Sequence, residues 1–169
     1  MKTRTTFILF LTAILTIAAG SVLAYSGGSG TTGAPYKIAT KADLLALAAN
    51  TDDYGNCFIL TADINMGGQV FTTAIIASGP AFLGTFDGND HKITNFTING
   101  GSNSNIGLFG QVNTSGSVKN LGLENCSVSG NYSIGGLVGY NYYGSISDCY
   151  STGMVSGGSN SDVVGGLVG

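Results

Sequence analysis

Charged residues are scarce in this chain of 169 residues, because Asp, Glu, Lys and Arg together make up only 9% of it. Beyond residue 24 the chain has four basic residues, namely Lys37, Lys41, Lys92 and Lys119, and all nine acidic residues. This part therefore has a formal charge of −5. Nucleic acids are bound mainly through Lys and Arg contacts to phosphate. The composition therefore argues against nucleic acid as a partner, and it provides no basic surface for an anionic membrane.

Histidine and cysteine are also few. The single histidine, His91, excludes the two-histidine H-E-x-x-H zinc site, and no G-x-S-x-G sequence offers a serine nucleophile beside it. Cys57, Cys126 and Cys149 lack C-x-x-C spacing and are interpreted as small buried hydrophobic residues. In an exported chain, three cysteines would also allow one disulfide and one free thiol. No metal, cofactor or catalytic residue is predicted.

The first 24 residues have the features of a secretory signal peptide. Lys2 and Arg4 precede an apolar stretch at residues 7–19, and Val22-Leu23-Ala24 is typical of a cleavage site. The apolar stretch is shorter than the roughly 20 residues of a transmembrane helix, and no later segment is long and apolar enough to cross a membrane. The sequence therefore predicts a secreted or cell-surface protein with no membrane span after cleavage.

The remaining chain repeats itself. The Gly-rich sequence around Leu108 recurs around Leu137 after 29 residues and around Leu167 after 30 more. Such a period is typical of a solenoid, in which each unit buries its apolar face against its neighbours. We therefore expect the three leucines to form one buried column. The shared repeat positions are Leu108, Gly110, Gly136, Leu137, Gly139, Gly166, Leu167 and Gly169.

Short apolar runs separated by Gly, Asn and Ser corners predict an all-β fold, a right-handed parallel β-helix in which each strand pairs with the coil above it. Residues 58–64, 71–76 and the Gly-Leu-x-Gly segments are predicted as strands. We expect residues 118–123 to be equivalent to residues 93–98, with Ile146 beginning a third copy.

One short helix is expected before the repeats. Thr40 and Asp43 have the spacing of a capping box, and apolar residues follow at helical spacing until the turn-forming stretch at 50–56. This helix would cover the open end of the solenoid. The predicted organisation is a signal peptide (1–24), a Gly/Ser/Thr-rich segment (25–35), the cap and first rungs (36–105) and incomplete repeats (106–169) that continue in a longer chain.

The sequence Ile-Gly-Gly-Leu-Val-Gly-Tyr-Asn at residues 134–141, followed by residues 144–153, resembles the GLUG motif of bacterial secreted and cell-surface proteins. Residues 27–38 and 84–89 resemble stretches that accompany such repeats. The resemblance implies a β-solenoid repeat on an exported bacterial protein. It carries over no catalytic residue.

Several patterns suggest sites, but each has a simpler explanation. Residues 28–33 match G-x-G-x-x-G without the strand before and the helix after that nucleotide binding requires. Asp87, Asn89 and Asp90 offer oxygen ligands for calcium, although turn formation explains them. Paired carboxylates for glycan hydrolysis are not evident, because the carboxylates are scattered over different strands and corners.

Tyrosines form the densest aromatic cluster of the sequence. They are Tyr132, Tyr140, Tyr142, Tyr143 and Tyr150. Exposed together, such rings bind sugars or a protein partner; alternatively, they support a corner of the solenoid. We therefore expect an exported structural or adhesive module without chemistry of its own, with a glycan or a protein as its ligand. A carbohydrate-binding or polysaccharide-degrading β-helix protein is the alternative.

Overall fold

The computed structural model describes residues 25–159 and 161–169, so the predicted signal peptide lies outside the described residues. The described chain is a parallel β-solenoid of about four turns with one short α-helix, which confirms the predicted all-β solenoid. No helix in the described part is long and apolar enough to cross a membrane.

The elements follow one another with short corners between them. In chain order they are β1 (Tyr36–Ile38), α1 (Lys41–Ala49), a 3-10 helix (Thr51–Asp53), β2 (Cys57–Leu60), β3 (Ile64–Phe71), β4 (Thr85–Asp87), β5 (Lys92–Asn99), β6 (Phe109–Asn113), β7 (Ser117–Lys119), β8 (Gly122–Gly130), β9 (Ser133–Gly135), β10 (Val138–Tyr142), β11 (Ser145–Ser147), β12 (Tyr150–Gly157) and β13 (Val163–Gly165).

The strands form four parallel sheets in the described residues. One sheet has the order β1-β2-β4-β7-β11 and a second the order β12-β8-β5-β3, while β6 pairs with β10 and β9 with β13. Each strand pairs with the strand one coil further along the chain, so every coil adds one layer to the same walls. Backbone groups of one coil are thus satisfied by the next.

The hydrogen-bonded register identifies the equivalent positions of successive coils. Val118 pairs with both Phe86 and Ile146, so Ile146 does begin a further copy. Ile93, however, pairs with Leu123, and Ile98 pairs with Val128. The predicted equivalence of residues 93–98 and 118–123 was therefore wrong. Residues 123–128 are the counterpart of residues 93–98. This run is less apolar because Cys126 takes the position that Phe96 holds one coil earlier.

Some segments predicted as single strands contain corners. The run at residues 58–64 divides at residues 61–63 into β2 and β3. In the run at residues 71–76, Phe71 ends β3 and Ile76 forms an isolated bridge to Phe109. The Gly-Leu pair at 136–137 turns the corner between β9 and β10, so only the second half of this predicted Gly-Leu-x-Gly strand, Val138 and Gly139, lies in a strand. The Leu137 side chain is fully buried, which shows that it points inward although the residue lies at a corner.

Helix α1 has the predicted capping box. The Thr40 side chain accepts a hydrogen bond from the Asp43 N–H, and the Asp43 carboxylate accepts one from the Thr40 N–H at 2.9 Å. These contacts satisfy N–H groups that a helix start leaves free. Leu44 and Leu47 are fully buried, and the helix packs against β1 and β3. The helix therefore covers the first coil.

Apolar side chains from all walls fill the interior. Aromatic rings dominate the first coils, where Phe58, Phe82 and Phe109 follow one another at centroid distances of 6.1 and 5.2 Å. Aliphatic residues replace them in later coils. The Gly/Ser/Thr-rich segment at 25–35 is folded onto this core, because Tyr25 packs against Phe58 and the Gly30 carbonyl accepts a hydrogen bond from the Cys57 N–H.

Candidate functional site

The repeated leucines lie on successive coils. The Phe109 N–H donates to the Leu137 carbonyl at 2.8 Å, and the Leu137 N–H donates to the Leu167 carbonyl at 2.9 Å, which sets the three residues in register. Leu108 and Leu137 are fully buried, and Leu167 is partly buried against the same core. The corner therefore carries a continuous apolar column.

The repeated glycines are places where the backbones of two coils approach each other closely. A Cβ atom on Gly139 would overlap the backbone of Asn105 and Ile106, one on Gly110 would overlap the Ala77 carbonyl, and one on Gly169 would overlap Ile134. Gly136 similarly faces the Gly166 carbonyl, whereas Gly166 itself has open space. Close stacking at this corner thus requires glycine.

The five tyrosines do not form one cluster. Tyr140, Tyr142 and Tyr143 lie together at the end of β10 and in the turn that follows, and we call these three residues the tyrosine patch. The rings of Tyr140 and Tyr142 are stacked at 6.3 Å, and Tyr143 meets the Tyr142 ring edge-on at 4.8 Å. All three are exposed, Tyr143 by 78%.

Tyr150 and Tyr132 have other surroundings. The Tyr150 hydroxyl donates to Glu124 at 2.8 Å, and Glu124 also accepts a hydrogen bond from Lys92 at 2.8 Å. Hydrogen bonds from Lys92 and Tyr150 lower the pKa of the Glu124 carboxyl. Tyr132 lies at the corner before β9, where a hydrogen bond to Asp162 raises its pKa. The five tyrosines thus have three different surroundings, and ligand binding by any of them stays a prediction.

The residues considered for calcium or acid–base chemistry pair with one another on the outer surface. His91 Nδ1 lies 3.0 Å from Asp63 Oδ1. Burial alone would raise the pKa of Asp87, but hydrogen bonds from Asn120, the Asn89 N–H and Lys119 outweigh burial and lower it. Within the described residues, no group of three His, Cys, Asp or Glu side chains is placed to hold a metal ion.

The three cysteines are free thiols in the structure. Cys126 is buried, and Cys57 and Cys149 are half-buried. Burial raises the pKa of Cys126 to about 11 and also raises that of Cys149. Cys126 pairs with Gly153 in β12, whereas Cys149 precedes β12, so the two are not equivalent in the repeat.

A row of asparagines was missed by sequence reasoning. Asn95 Nδ2 donates to Asn65 Oδ1 at 3.0 Å, and Asn125 donates in the same way to Asn95. Both Asn95 and Asn125 have positive φ, which asparagine tolerates better than most residues. The row lines a groove of about 570 Å³ across the coils. Its sequence signal was an asparagine every 30 residues.

These features define a class of protein: a parallel β-solenoid repeat whose corners are closely packed through glycine and whose outer walls carry polar and aromatic side chains. Comparison with known proteins identifies a motif in this chain. The family model described as the GLUG motif matches residues 130–156, so this chain carries the GLUG motif, as its sequence predicted. The match corresponds to one coil of the solenoid, because the Gly158 N–H returns to the Gly130 carbonyl at 3.0 Å.

Two relatives extend the similarity over most of the chain. Halomucin of Haloquadratum walsbyi is 33% identical over 151 residues, which cover 84% of this chain and 2% of halomucin. A protein of Evansella cellulosilytica named as a Gly-rich membrane protein is 34% identical over 134 residues, which cover 70% of this chain and 14% of that protein. The chain thus spans a small part of either relative. No solved structure matches it.

Proposed function

We propose that this chain is a structural and adhesive repeat module of a secreted or cell-surface protein. The observation that carries the proposal is the stacked coil itself. The coils share one apolar interior, and polar side chains together with several tyrosines face outward. Such a module extends by adding coils, and its outer walls become a long display surface.

The relatives support a location outside the cytoplasm. One is a halomucin and the other is named as a membrane protein. The residues predicted to form a signal peptide agree with this location. Because one relative is archaeal, the bacterial origin expected from the resemblance stays a prediction.

We propose further that the module has no chemistry of its own. Several carboxylates on its outer walls are engaged by neighbouring side chains, as in the pairs Lys119–Asp87 at 3.2 Å and Lys92–Glu124 at 2.8 Å. Hydrolysis of a glycoside needs two carboxyl groups that face one bond across a cleft. Release of reducing sugar from a polysaccharide by the purified chain would contradict this part of the proposal.

The location can be tested in the cell that produces the protein. A tagged full-length chain should be digested when a protease is added to intact cells, or should be found in the medium. A variant without residues 1–24 serves as the matched control and should remain protected inside. Equal protection of both chains would refute the proposed surface location.

A further inference from the structure

The tyrosine patch exposes three aromatic rings that add little to the packing of the solenoid. Tyr140 is 41%, Tyr142 49% and Tyr143 78% exposed. Tyr140 and Tyr142 are two residues apart in β10 and therefore point to the same outer face. Tyr143 continues this face into the turn. A row of adjoining rings on one outer surface results.

Tyr143 is held in an unfavourable backbone conformation. Its φ is +59°, in the left-handed region, which is an outlier for a bulky residue. The other described non-glycine residues with positive φ are Ala77 and a set of asparagines and aspartates, namely Asn89, Asp90, Asn95, Asn105, Asn120, Asn125 and Asp148. The chain thus uses Asn or Asp at nearly all such corners but keeps an aromatic ring at this one.

The turn around Tyr143 is fixed by a neighbouring side chain. Asn141 Nδ2 donates to the Gly144 carbonyl, and the Gly144 N–H donates to Asn141 Oδ1, both at 3.0 Å. These two hydrogen bonds bracket Tyr142 and Tyr143. The backbone that carries the exposed ring is therefore held in a defined turn. Backbone strain of this kind is concentrated at functional sites.

Within the described residues, the chain segments that carry the patch and the adjacent strand β6 are uncharged. Residues 93–118 and 125–147 contain no Asp, Glu, Lys, Arg or His. On the adjacent coil, Gln111 pairs with Tyr140 and Asn113 with Tyr142, so amide side chains lie beside the rings. Aromatic faces suit the C–H faces of sugar rings, and amides suit hydroxyl groups. These described segments offer a charged ligand no partner of opposite sign.

We infer that the tyrosine patch is a binding site for a neutral glycan, on which Tyr140, Tyr142 and Tyr143 stack against sugar rings. The inference rests on the proposed function and deepens it, because it names the ligand class of an adhesive surface. Tyr132 and Tyr150 are outside this site.

The test replaces Tyr143 with asparagine, the residue that this chain uses at five other positive-φ positions. Tyr143→Asn removes the ring and also relieves the backbone, so the melting temperature should stay equal or rise. Tyr143→Phe keeps the ring without its hydroxyl. Tyr132→Asn removes an equally large exposed side chain from a different corner and is the matched control.

Binding should be measured on an array of neutral glycans built from glucose, galactose, mannose, xylose and N-acetylglucosamine, followed by calorimetry with the best glycan. We expect Tyr143→Asn to weaken binding by about tenfold or more, while Tyr143→Phe and Tyr132→Asn stay close to wild type. Polygalacturonate, an anionic chain, should not bind. The folded state of each variant is checked by its melting temperature.

Three results would overturn the inference. One is the absence of saturable binding to any neutral glycan, and another is unchanged affinity in Tyr143→Asn. The third is self-association of the chain that depends on Tyr143 and occurs without glycan binding, since this would assign the patch to a second copy of the protein. Each of them leaves the protease test of surface location unaffected, so the two proposals fail separately.

Discussion

Leu137 is fully buried at the corner where one coil passes into the next, with Leu108 and Leu167 on the adjacent coils. Leu137→Ala removes three carbon atoms, and each buried CH₂ contributes about 0.8 kcal/mol, which gives about 2.4 kcal/mol for transfer alone. A cavity adds to this loss. Because backbone hydrogen bonds on both sides hold the neighbouring coils at a fixed spacing, the cavity cannot collapse, and we expect a total of roughly 3–4 kcal/mol.

The measurement is equilibrium unfolding in urea, followed by circular dichroism and compared between variants at equal slope. Leu108→Ala lies in the same column and should cost a similar amount. Val70→Ala is the control, because Val70 is an exposed valine in β3, and its loss should cost less than about 0.5 kcal/mol. If Leu137→Ala were as mild as Val70→Ala, the corner leucines would not be holding the coils together, and the stacking argument would be refuted.

Three other properties of the solenoid can be tested in the same way. Gly139→Ala should destabilise the fold by roughly 2–3 kcal/mol because its Cβ overlaps the backbone of the adjacent coil. Gly55→Ala is the control and should be nearly neutral, since Gly55 has open space around it. Equal urea midpoints for these two variants would show that the coils have room to separate. Burial alone would raise the pKa of Asp43, but hydrogen bonds from Ser26, the Ala39 N–H and Thr40 outweigh burial and lower it. The stability that this carboxylate contributes should therefore be complete above its unfolded pKa of roughly 4 and should decline as the pH falls through the folded pKa. The urea midpoint should fall with it, and Asp43→Asn should reduce this fall. Burial raises the pKa of Cys126 to about 11, so iodoacetamide at neutral pH should label this thiol only after unfolding, and rapid labelling of the native protein, detected by mass spectrometry, would contradict the buried position.

The β-solenoid was predictable from sequence because its strongest determinant is periodic. Leucine and glycine recur at the corner for two separate physical reasons, burial of the side chain and close approach of the backbones, and together they stand out in a polar sequence. The capping box of α1 was predictable for a local reason, since Thr40 and Asp43 are only three residues apart. Register within the long strands was not predictable. Residues 118–123 and 123–128 both have the apolar spacing of residues 93–98, and only the hydrogen bonds distinguish them.

The candidate site shows how sequence distance should be converted into spatial distance in such a fold. Neighbours across a wall are about 30 residues apart, which is why Asn65, Asn95 and Asn125 form one hydrogen-bonded row. Residues only 7 to 11 positions apart can belong to different walls of the same coil, as Tyr132 and Tyr150 do relative to the tyrosine patch. Residues that cluster along the chain therefore suggest a larger site than a solenoid forms, unless they share a strand or a turn, as Tyr140, Tyr142 and Tyr143 do. If further coils carry a ligand surface, its residues should be sought at this 30-residue spacing on the wall of β6 and β10, where Gln111 already lies beside Tyr140.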